Sequence, residues 1–126
     1  MPAVVRPNVR PLRVLVVEDD AALGDLFAQV LRDRGHVVDL AGDVPAAMSA
    51  IERGPYEVIV ADLRLPGASG LELVAWASRT GLAVRVVVAS AFATADLAAH
   101  ARRLGAADVL SKPVEPDALV CAVEAA

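Results

Sequence analysis

Unbroken apolar runs alternate along the chain with segments in which apolar residues recur at helical spacing. Val58–Ala61 is an apolar run of strand length, typical of a strand buried on both faces of a parallel sheet. Between Leu23 and Leu31 the apolar residues instead recur every three or four positions, which predicts an amphipathic helix. Strand and helix alternate in this way five times with short connections. The pattern therefore predicts an α/β fold, a doubly wound five-stranded parallel sheet with helices on both faces.

Turn and capping residues set the limits of these elements. Asp20 and Asp43 are placed to cap the first two helices, and Ser69 with Glu72 matches a capping box ahead of the third. Pro116 opens the last helix. The predicted strands cover residues 12–17, 36–41, 56–61, 83–89 and 108–111, and each is followed by a helix.

Composition narrows the class of protein. A chain of 126 residues with 56% hydrophobic and 3% aromatic residues predicts one domain with a core of Val, Leu and Ala. No apolar run reaches the ~20 residues that cross a bilayer, and no signal peptide is recognisable, so we expect no membrane association. The net charge of −4 argues against direct nucleic-acid binding. Cys121 is the only cysteine, which fits a cytoplasmic protein, and we expect it to be buried.

Four smaller features are assigned structural roles. Residues 1–11 contain three prolines and two arginines and are predicted to form a flexible arm ahead of a single domain at residues 12–126. His36 and His100 lack a cysteine partner or paired spacing, so we expect them on the surface without a metal role. Trp76 is expected to contribute to the packing of the third helix, without a ligand-binding role.

Polar side chains follow four of the five predicted strands. They are Glu18 and Asp19 after the first strand, Asp62 after the third, Ser90 after the fourth and Lys112 after the fifth. The carboxyl ends of parallel strands share one edge of the sheet, where open α/β sheets bind ligands, so these side chains can converge. Three carboxylates within a few Å repel one another unless a cation is present, and Mg²⁺ suits a site with few carboxylates and retained waters.

The remaining chemistry at these strand ends suits a phosphoryl group. Besides the groups that hold the metal, the strand ends offer one carboxylate, the ammonium group of Lys112 and the hydroxyl of Ser90. The carboxylate would be the nucleophile, while the metal and the ammonium group neutralise the phosphoryl oxygens. The hydroxyl can donate a hydrogen bond to a phosphoryl oxygen. The pattern thus predicts phosphoryl transfer onto an aspartate.

Four motifs together resemble the response-regulator receiver domain of two-component signalling. They are the acidic first-strand motif Val14–Asp20, the phosphorylation-site loop Asp62–Gly70, the switch-hydroxyl strand Val88–Ala91 and the pair Lys112-Pro113. They occur in the family's order and spacing, and the resemblance covers the chain from about Leu12 to its end. It implies the flavodoxin-like (CheY-like) sheet order 2-1-3-4-5 and a cis peptide bond between Lys112 and Pro113.

The resemblance also implies how the metal is held. Asp62 would be the phosphoacceptor and, with Asp19, a direct ligand of Mg²⁺. Glu18 would act mainly through a metal-bound water, and Arg64 would contribute its backbone carbonyl. Asp20, in contrast, is expected only to cap the first helix.

Lys112 would pair with the phosphoryl group, and Ser90 would move in to bind it. One position departs from the family pattern, because Val109 stands where a Tyr or Phe commonly turns inward on activation. Any switch would then rely on Ser90 and on backbone shifts before the fourth helix. Phe92 is a bulky residue two positions after Ser90, and we hypothesise that Phe92 and Arg64 restrict the approach of water to the acyl phosphate.

The resemblance carries an expected function. A sensor histidine kinase or a phosphotransfer protein would donate the phosphoryl group, and the domain would promote its own phosphorylation and dephosphorylation without turning over an external substrate. The fourth helix, fifth strand and fifth helix would form the output surface. That surface would contact an effector domain, an effector protein or a second copy of the chain.

Three alternatives stand beside this function. A degenerate receiver would bind partners without being phosphorylated. A flavodoxin-type cofactor binder needs a glycine-rich, phosphate-cradling loop after the first strand, where this chain has Glu18-Asp19-Asp20. A haloacid-dehalogenase-type phosphatase needs a second acid two residues after its nucleophile, where this chain has Arg64.

Overall fold

A single parallel sheet with helices on both faces organises residues 10–125, the part of the chain that the computed structural model describes. The strands are β1 (Arg13–Val17), β2 (Val37–Ala41), β3 (Val58–Asp62), β4 (Arg85–Ser90) and β5 (Asp108–Ser111), and the helices are α1 (Ala21–Asp33), α2 (Val44–Arg53), α3 (Gly70–Thr80), α4 (Ala95–Leu104) and α5 (Pro116–Glu124). The strands pair in the order β2-β1-β3-β4-β5, all parallel. The predicted fold class and strand order are confirmed.

The sheet separates two apolar layers because successive side chains of each strand point to opposite faces. In β1, Leu15 and Val17 join the layer beneath α2, α3 and α4. Val14 and Val16 join the other layer, which α1 and α5 cover. Apart from Arg13 and Arg85 at the starts of β1 and β4, the central strands are therefore apolar until their last residues. The charged side chains of the site come at the carboxyl ends of the strands.

Helix capping follows the predicted residues. The side chains of Asp20 and Asp43 accept hydrogen bonds from the N–H groups three residues further on, at α1 and α2. Ser69 caps α3 by accepting from the Leu71 N–H. A short antiparallel pair, Arg64–Leu65 with Ala68–Ser69, closes the loop between β3 and α3.

The first residues of the predicted arm, 1–9, lie outside the described residues. Arg10 is described, and its guanidinium pairs with the carboxylate of Glu57 just before β3. Glu57 also accepts from the backbone N–H of Arg13 at 3.1 Å. The chain is thus held against the sheet two residues before the predicted domain boundary at Leu12.

Two expectations about burial are wrong. His36 is buried at the start of β2, although its sequence context suggested the surface. Cys121 is exposed, although it was expected to be buried, because α5 turns its Leu119 and Ala122 toward the sheet and leaves Cys121 on the outer side. His100 is exposed, and Trp76 is half-buried against the layer beneath α3, as expected.

Candidate functional site

The carboxyl ends of β1, β3 and β5 bring four of the candidate side chains together. The Lys112 Nζ lies 3.0 Å from the Asp62 Oδ2 and 3.2 Å from the Glu18 Oε2. Carboxylate oxygens of Glu18, Asp19 and Asp62 all lie within 4.8 Å of one another. Residues separated by more than forty positions thus meet because parallel strands carry their tips to the same edge.

Asp62 is the last residue of β3, whose other four residues are buried and give its carboxylate a rigid support. Its side chain is 11% exposed. The Asp62 Oδ1 accepts a hydrogen bond from the Arg64 N–H at 3.2 Å. The next residue, Leu63, donates its N–H to the Ala89 carbonyl of β4 at 2.9 Å, so the backbone stays attached to the sheet just past the carboxylate.

The electrostatics of the site are dominated by excess negative charge. Burial, and then the negative charge of Asp62, raise the pKa of Glu18 to about 7, while Lys112 opposes the shift. Burial lowers the pKa of Lys112, but its hydrogen bond to Asp62 and the charges of both carboxylates outweigh this and raise the pKa overall. The ammonium group therefore stays protonated at neutral pH.

This donor set fits a hard divalent cation. Three carboxylates face one ammonium group, so a cation bound by oxygens would relieve the remaining repulsion. Glu18, Asp19 and Asp62 are the residues placed to hold it. Glu18 already contacts Lys112, which agrees with an indirect role for it, whereas Asp19 is exposed and forms no ion pair with another described residue. The Arg64 carbonyl stays a predicted ligand.

Ser90 lies at the same edge, as the last residue of β4. Its buried hydroxyl oxygen accepts a hydrogen bond from the Phe92 N–H at 3.0 Å. Its backbone carbonyl accepts from the Lys112 N–H at 2.8 Å, which joins β4 to the residue after β5. Because the Ser90 oxygen accepts in this bond, its O–H remains available as a donor.

Arg64 and Phe92 form a pair on the solvent side of the site. The Arg64 guanidinium lies 4.9 Å from the centroid of the Phe92 ring. Phe92 is 62% exposed, which is unusual for a large apolar side chain. The stacking could not be seen in the sequence, since it depends on how the loops after β3 and β4 face each other.

Val109 and the Lys112-Pro113 bond complete the region. Val109 in β5 packs against the apolar layer beneath α4, so no aromatic side chain occupies this position. The Lys112-Pro113 peptide bond is cis, as the family resemblance implied.

Gly70 is a site-supporting residue that the sequence did not single out by itself. A Cβ at this position would lie 2.3 Å from the Asp62 carbonyl oxygen and 3.0 Å from its carbonyl carbon. The start of α3 therefore packs directly against the backbone of Asp62. The only signal in the sequence is a small residue directly after the capping Ser69.

Gly70→Ala is expected to destabilise the domain by about 1–3 kcal/mol, because the added methyl group forces the backbone of Asp62 to shift. Divalent-cation affinity should fall with it. Urea unfolding and a Mg²⁺ titration would measure both effects. Gly42→Ala is the matched control, since a Cβ there meets nothing within 4 Å. Equal stability of the two variants would contradict the close approach.

The family model of the response regulator receiver domain matches residues 14–124. The chain belongs to this family. Among its relatives, the transcriptional regulatory protein TcrA of Mycobacterium tuberculosis is 33% identical over 118 residues, which cover 94% of this chain and 47% of TcrA. The transcriptional regulatory protein FixJ of Bradyrhizobium diazoefficiens is 32% identical over 113 residues, which cover 90% of this chain and 55% of FixJ.

Solved receiver domains share the fold. The receiver domain of the Francisella response regulator 1452 superposes with a TM-score of 0.84 at 26% identity, covering 89% of this chain and 93% of that one. This chain spans about half the length of its relatives TcrA and FixJ. Within the described residues, no helix combines the length and apolar character needed to cross a membrane.

Family membership identifies the chain as a signalling domain of the response-regulator type. Receiver domains bind Mg²⁺ at an acidic pocket, and this chain has an acidic cluster of Glu18, Asp19 and Asp62.

Proposed function

We propose that this chain is the phosphoacceptor receiver of a two-component phosphorelay, and that Asp62 takes the phosphoryl group in the presence of Mg²⁺. The observation that carries the proposal is the 3.0 Å contact between the Lys112 Nζ and the Asp62 Oδ2 beside two further carboxylates. A strand-end carboxylate, a protonated lysine and a metal-binding cluster are the parts that phosphoryl transfer requires.

In the transfer step, an Asp62 carboxylate oxygen attacks the phosphorus of a phosphohistidine on the donor. The P–N bond breaks, the electron pair returns to the imidazole nitrogen, and an acyl phosphate forms. Lys112 supplies positive charge to a phosphoryl oxygen. Bound Mg²⁺ would be held by Asp19, Asp62 and the Arg64 carbonyl, with Glu18 acting through a bound water, and would neutralise charge on the phosphoryl oxygens.

The conformational response is proposed to begin at Ser90. Its hydroxyl would leave the Phe92 N–H and donate a hydrogen bond to the acyl phosphate, which draws the loop before α4 toward the site. Since the Ser90 carbonyl is bonded to the Lys112 N–H, this movement reaches the end of β5. Because Val109 occupies the position of the usual aromatic residue, no aromatic side chain can turn inward there. The conformational response would therefore depend on movement of the loop before α4.

The output surface is proposed to be α4, β5 and α5. An effector domain, an effector protein or a second copy of the chain would bind there in the phosphorylated state. The donor would be a sensor histidine kinase or a phosphotransfer protein. We propose a cytoplasmic location, which the single Cys121 supports, and no direct contact of this domain with nucleic acid or membrane. The domain would promote its own phosphorylation and dephosphorylation, without an external substrate.

The direct test is phosphorylation of the purified chain by a small-molecule phosphodonor with Mg²⁺. Intact-mass spectrometry should show the addition of one phosphoryl group, and chelation of Mg²⁺ should prevent it. A folded chain that gains no phosphoryl group under these conditions would instead favour the degenerate receiver, which binds partners without phosphorylation.

Phe92→Ala is expected to shorten the lifetime of the acyl phosphate, because the ring and its stacked guanidinium stand on the loops after β3 and β4, at the edge of the sheet that carries Asp62. We expect hydrolysis about two- to tenfold faster, as for a barrier lowered by about 0.4–1.4 kcal/mol. Loss of the phosphorylated mass with time, after removal of the donor, gives the rate.

Arg64→Ala should accelerate hydrolysis in the same direction, since it removes the other half of the pair. Leu82→Ala is the control, because Leu82 is also a large exposed apolar residue but precedes β4 at the opposite end of the sheet. An unchanged hydrolysis rate in Phe92→Ala would refute the shielding role.

A further inference from the structure

An apolar groove opens at the amino-terminal end of the sheet, opposite the acidic cluster. It has a volume of about 180 Å³ and lies between the end of α2, the start of β3 and the loop that leads into β4. The Tyr56 hydroxyl donates to the Asp39 carboxylate at 2.6 Å, so the polar end of this side chain already has a partner. None of the residues that line the groove is charged, and the largest are Ile51, Tyr56, Ile59, Leu82 and Val84.

Part of this groove is open to water. Leu82 is 40% exposed, one of the few large apolar side chains exposed among the described residues. Its N–H donates to the Ala77 carbonyl at 3.2 Å, so the backbone holds Leu82 in this position. Ile51, Tyr56 and Val84 are only half-buried beside it. An apolar occupant would therefore gain free energy by removing this surface from water.

The chain that enters the sheet is anchored at the same end. Arg10 is the first described residue, and its guanidinium pairs with the carboxylate of Glu57, the residue after Tyr56. Glu57 also accepts from the Arg13 N–H at 3.1 Å, at the start of β1. Residues 1–9 thus join the described chain near the groove. Nine extended residues span up to about 30 Å, which is enough to reach across it.

The residues before Arg10 have a composition that suits such a groove. Residues 1–9 contain three valines, Val4, Val5 and Val9, and no acidic residue. They also contain two prolines, which restrict the free chain and so reduce the conformational entropy that docking would cost. Branched apolar side chains on an extended segment are the kind of group that an uncharged groove accepts.

The size of the groove favours an occupant that is tethered to the protein. Its volume is below the roughly 300–1,000 Å³ of common small-molecule pockets. Stable complexes between separate proteins bury about 1,200 Å² or more, which a groove of this size does not supply by itself. A segment joined to the sheet at Arg10 is instead present at an effective concentration in the millimolar range, so a few apolar contacts are enough to hold it.

We propose that this groove is an intramolecular docking surface for residues 3–9, whose valine side chains cover Leu82 and its neighbours. The arm that composition predicts to be flexible would then be held across the amino-terminal end of the sheet. Because Asp62 lies at the opposite end, the proposal does not depend on phosphoryl transfer.

Paramagnetic relaxation tests the proposal on the whole chain. A nitroxide is attached to Ala3→Cys in a Cys121→Ser background, which removes the exposed native thiol. The exposed Leu26 of α1 should keep its methyl signals, since it lies away from the groove. Reduction of the nitroxide should restore any signal that docking removes. The methyl signals that should be lost are those of Ile51, Leu82 and Val84.

Leu82→Glu in the labelled chain should restore the signals of Ile51 and Val84, because a carboxylate in the groove disfavours apolar side chains. Leu26→Glu is the matched control and should leave their loss unchanged. If Leu82→Glu fails to fold by circular dichroism, Ala83→Glu takes its place, since Ala83 is exposed in the same groove. Groove signals that survive in the labelled chain would leave the groove to another occupant and overturn the proposal. So would a loss that persists in the folded groove variant.

Discussion

Asp62→Asn is expected to abolish phosphoryl incorporation while preserving the fold. The amide of asparagine cannot act as the nucleophile that forms an acyl phosphate. The substitution also removes one of three neighbouring negative charges, so it should not lower the free energy of unfolding and is expected to ease the repulsion that raises the pKa of Glu18. Intact-mass spectrometry with a small phosphodonor and Mg²⁺ measures the first effect, and urea unfolding measures the second.

The specificity of this result rests on a matched aspartate. Asp117 lies exposed in the first turn of α5, and Asp117→Asn should be phosphorylated as fully as the natural chain. Full phosphorylation of Asp62→Asn would place the acceptor elsewhere and refute the proposed function. Lys112→Ala offers a further comparison, since it keeps the nucleophile but removes the ammonium group 3.0 Å from it.

Glu124→Ala is expected to cause a large loss of stability through contacts at the end of the sheet opposite the acidic cluster. Glu124 ends α5 and forms, with Arg34 and His36, what we call the C-terminal clasp. Arg34 donates two hydrogen bonds to the Glu124 carboxylate, at 2.9 Å from Nε and 2.8 Å from Nη2. The His36 Nε2 lies 2.8 Å from the same carboxylate, and the side chains of His36 and Glu124 are fully buried.

The protonation of His36 follows from its second contact. The Leu12 N–H donates to the His36 Nδ1 at 3.1 Å, so this nitrogen carries no proton. The Nε2 therefore carries the ring proton and donates a hydrogen bond to the Glu124 carboxylate. The clasp thus ties the start of β1, the turn after α1 and the end of α5 into one network.

Removing Glu124 takes away the carboxylate that accepts from the Arg34 guanidinium and from the His36 N–H. We expect Glu124→Ala to lower the free energy of unfolding by about 2–3 kcal/mol, less than the roughly 3–5 kcal/mol of a deeply buried pair, because Arg34 keeps 16% exposure and water can partly replace the carboxylate. Urea unfolding followed by circular dichroism provides the value. Glu115→Ala is the control, since Glu115 precedes the same helix and its side chain makes no capping hydrogen bond.

The clasp also predicts a dependence on pH. The hydrogen bonds from Arg34, opposed by burial and aided by His36, lower the pKa of Glu124 below its usual value of 4.5. A lowered pKa in the folded state means that the clasp contributes fully above about pH 4.5 and is lost as the pH falls through the lowered pKa. The stability difference between the natural chain and Glu124→Gln should therefore shrink below pH 4.5. A constant difference down to pH 3 would contradict this assignment.

The two predictions concern opposite ends of the same sheet, and they differ in how far the sequence anticipated them. Asp62 could be selected from the sequence because a charge directly after a buried apolar run must stand at a strand end. Glu124 and Arg34 could not, because their meeting depends on where the end of α5 lies relative to the turn after α1. His36 was misplaced on the surface for the same reason, since its two partners, Leu12 and Glu124, lie far from it in sequence.

By itself, the sequence determined the succession of strands and helices along the chain, the caps at Asp20 and Asp43, and the residues at the strand ends that form the site. These features depend on local periodicity and on the rule that parallel strands end at one edge. The tertiary structure alone decided the hydrogen bond from the Phe92 N–H to the Ser90 hydroxyl, the stacking of Arg64 on Phe92, the clasp at Glu124 and the hydrogen bond from Arg32 to the Val38 carbonyl of β2. Such contacts depend on distances between elements that are remote in the chain, and no local pattern of residues encodes those distances.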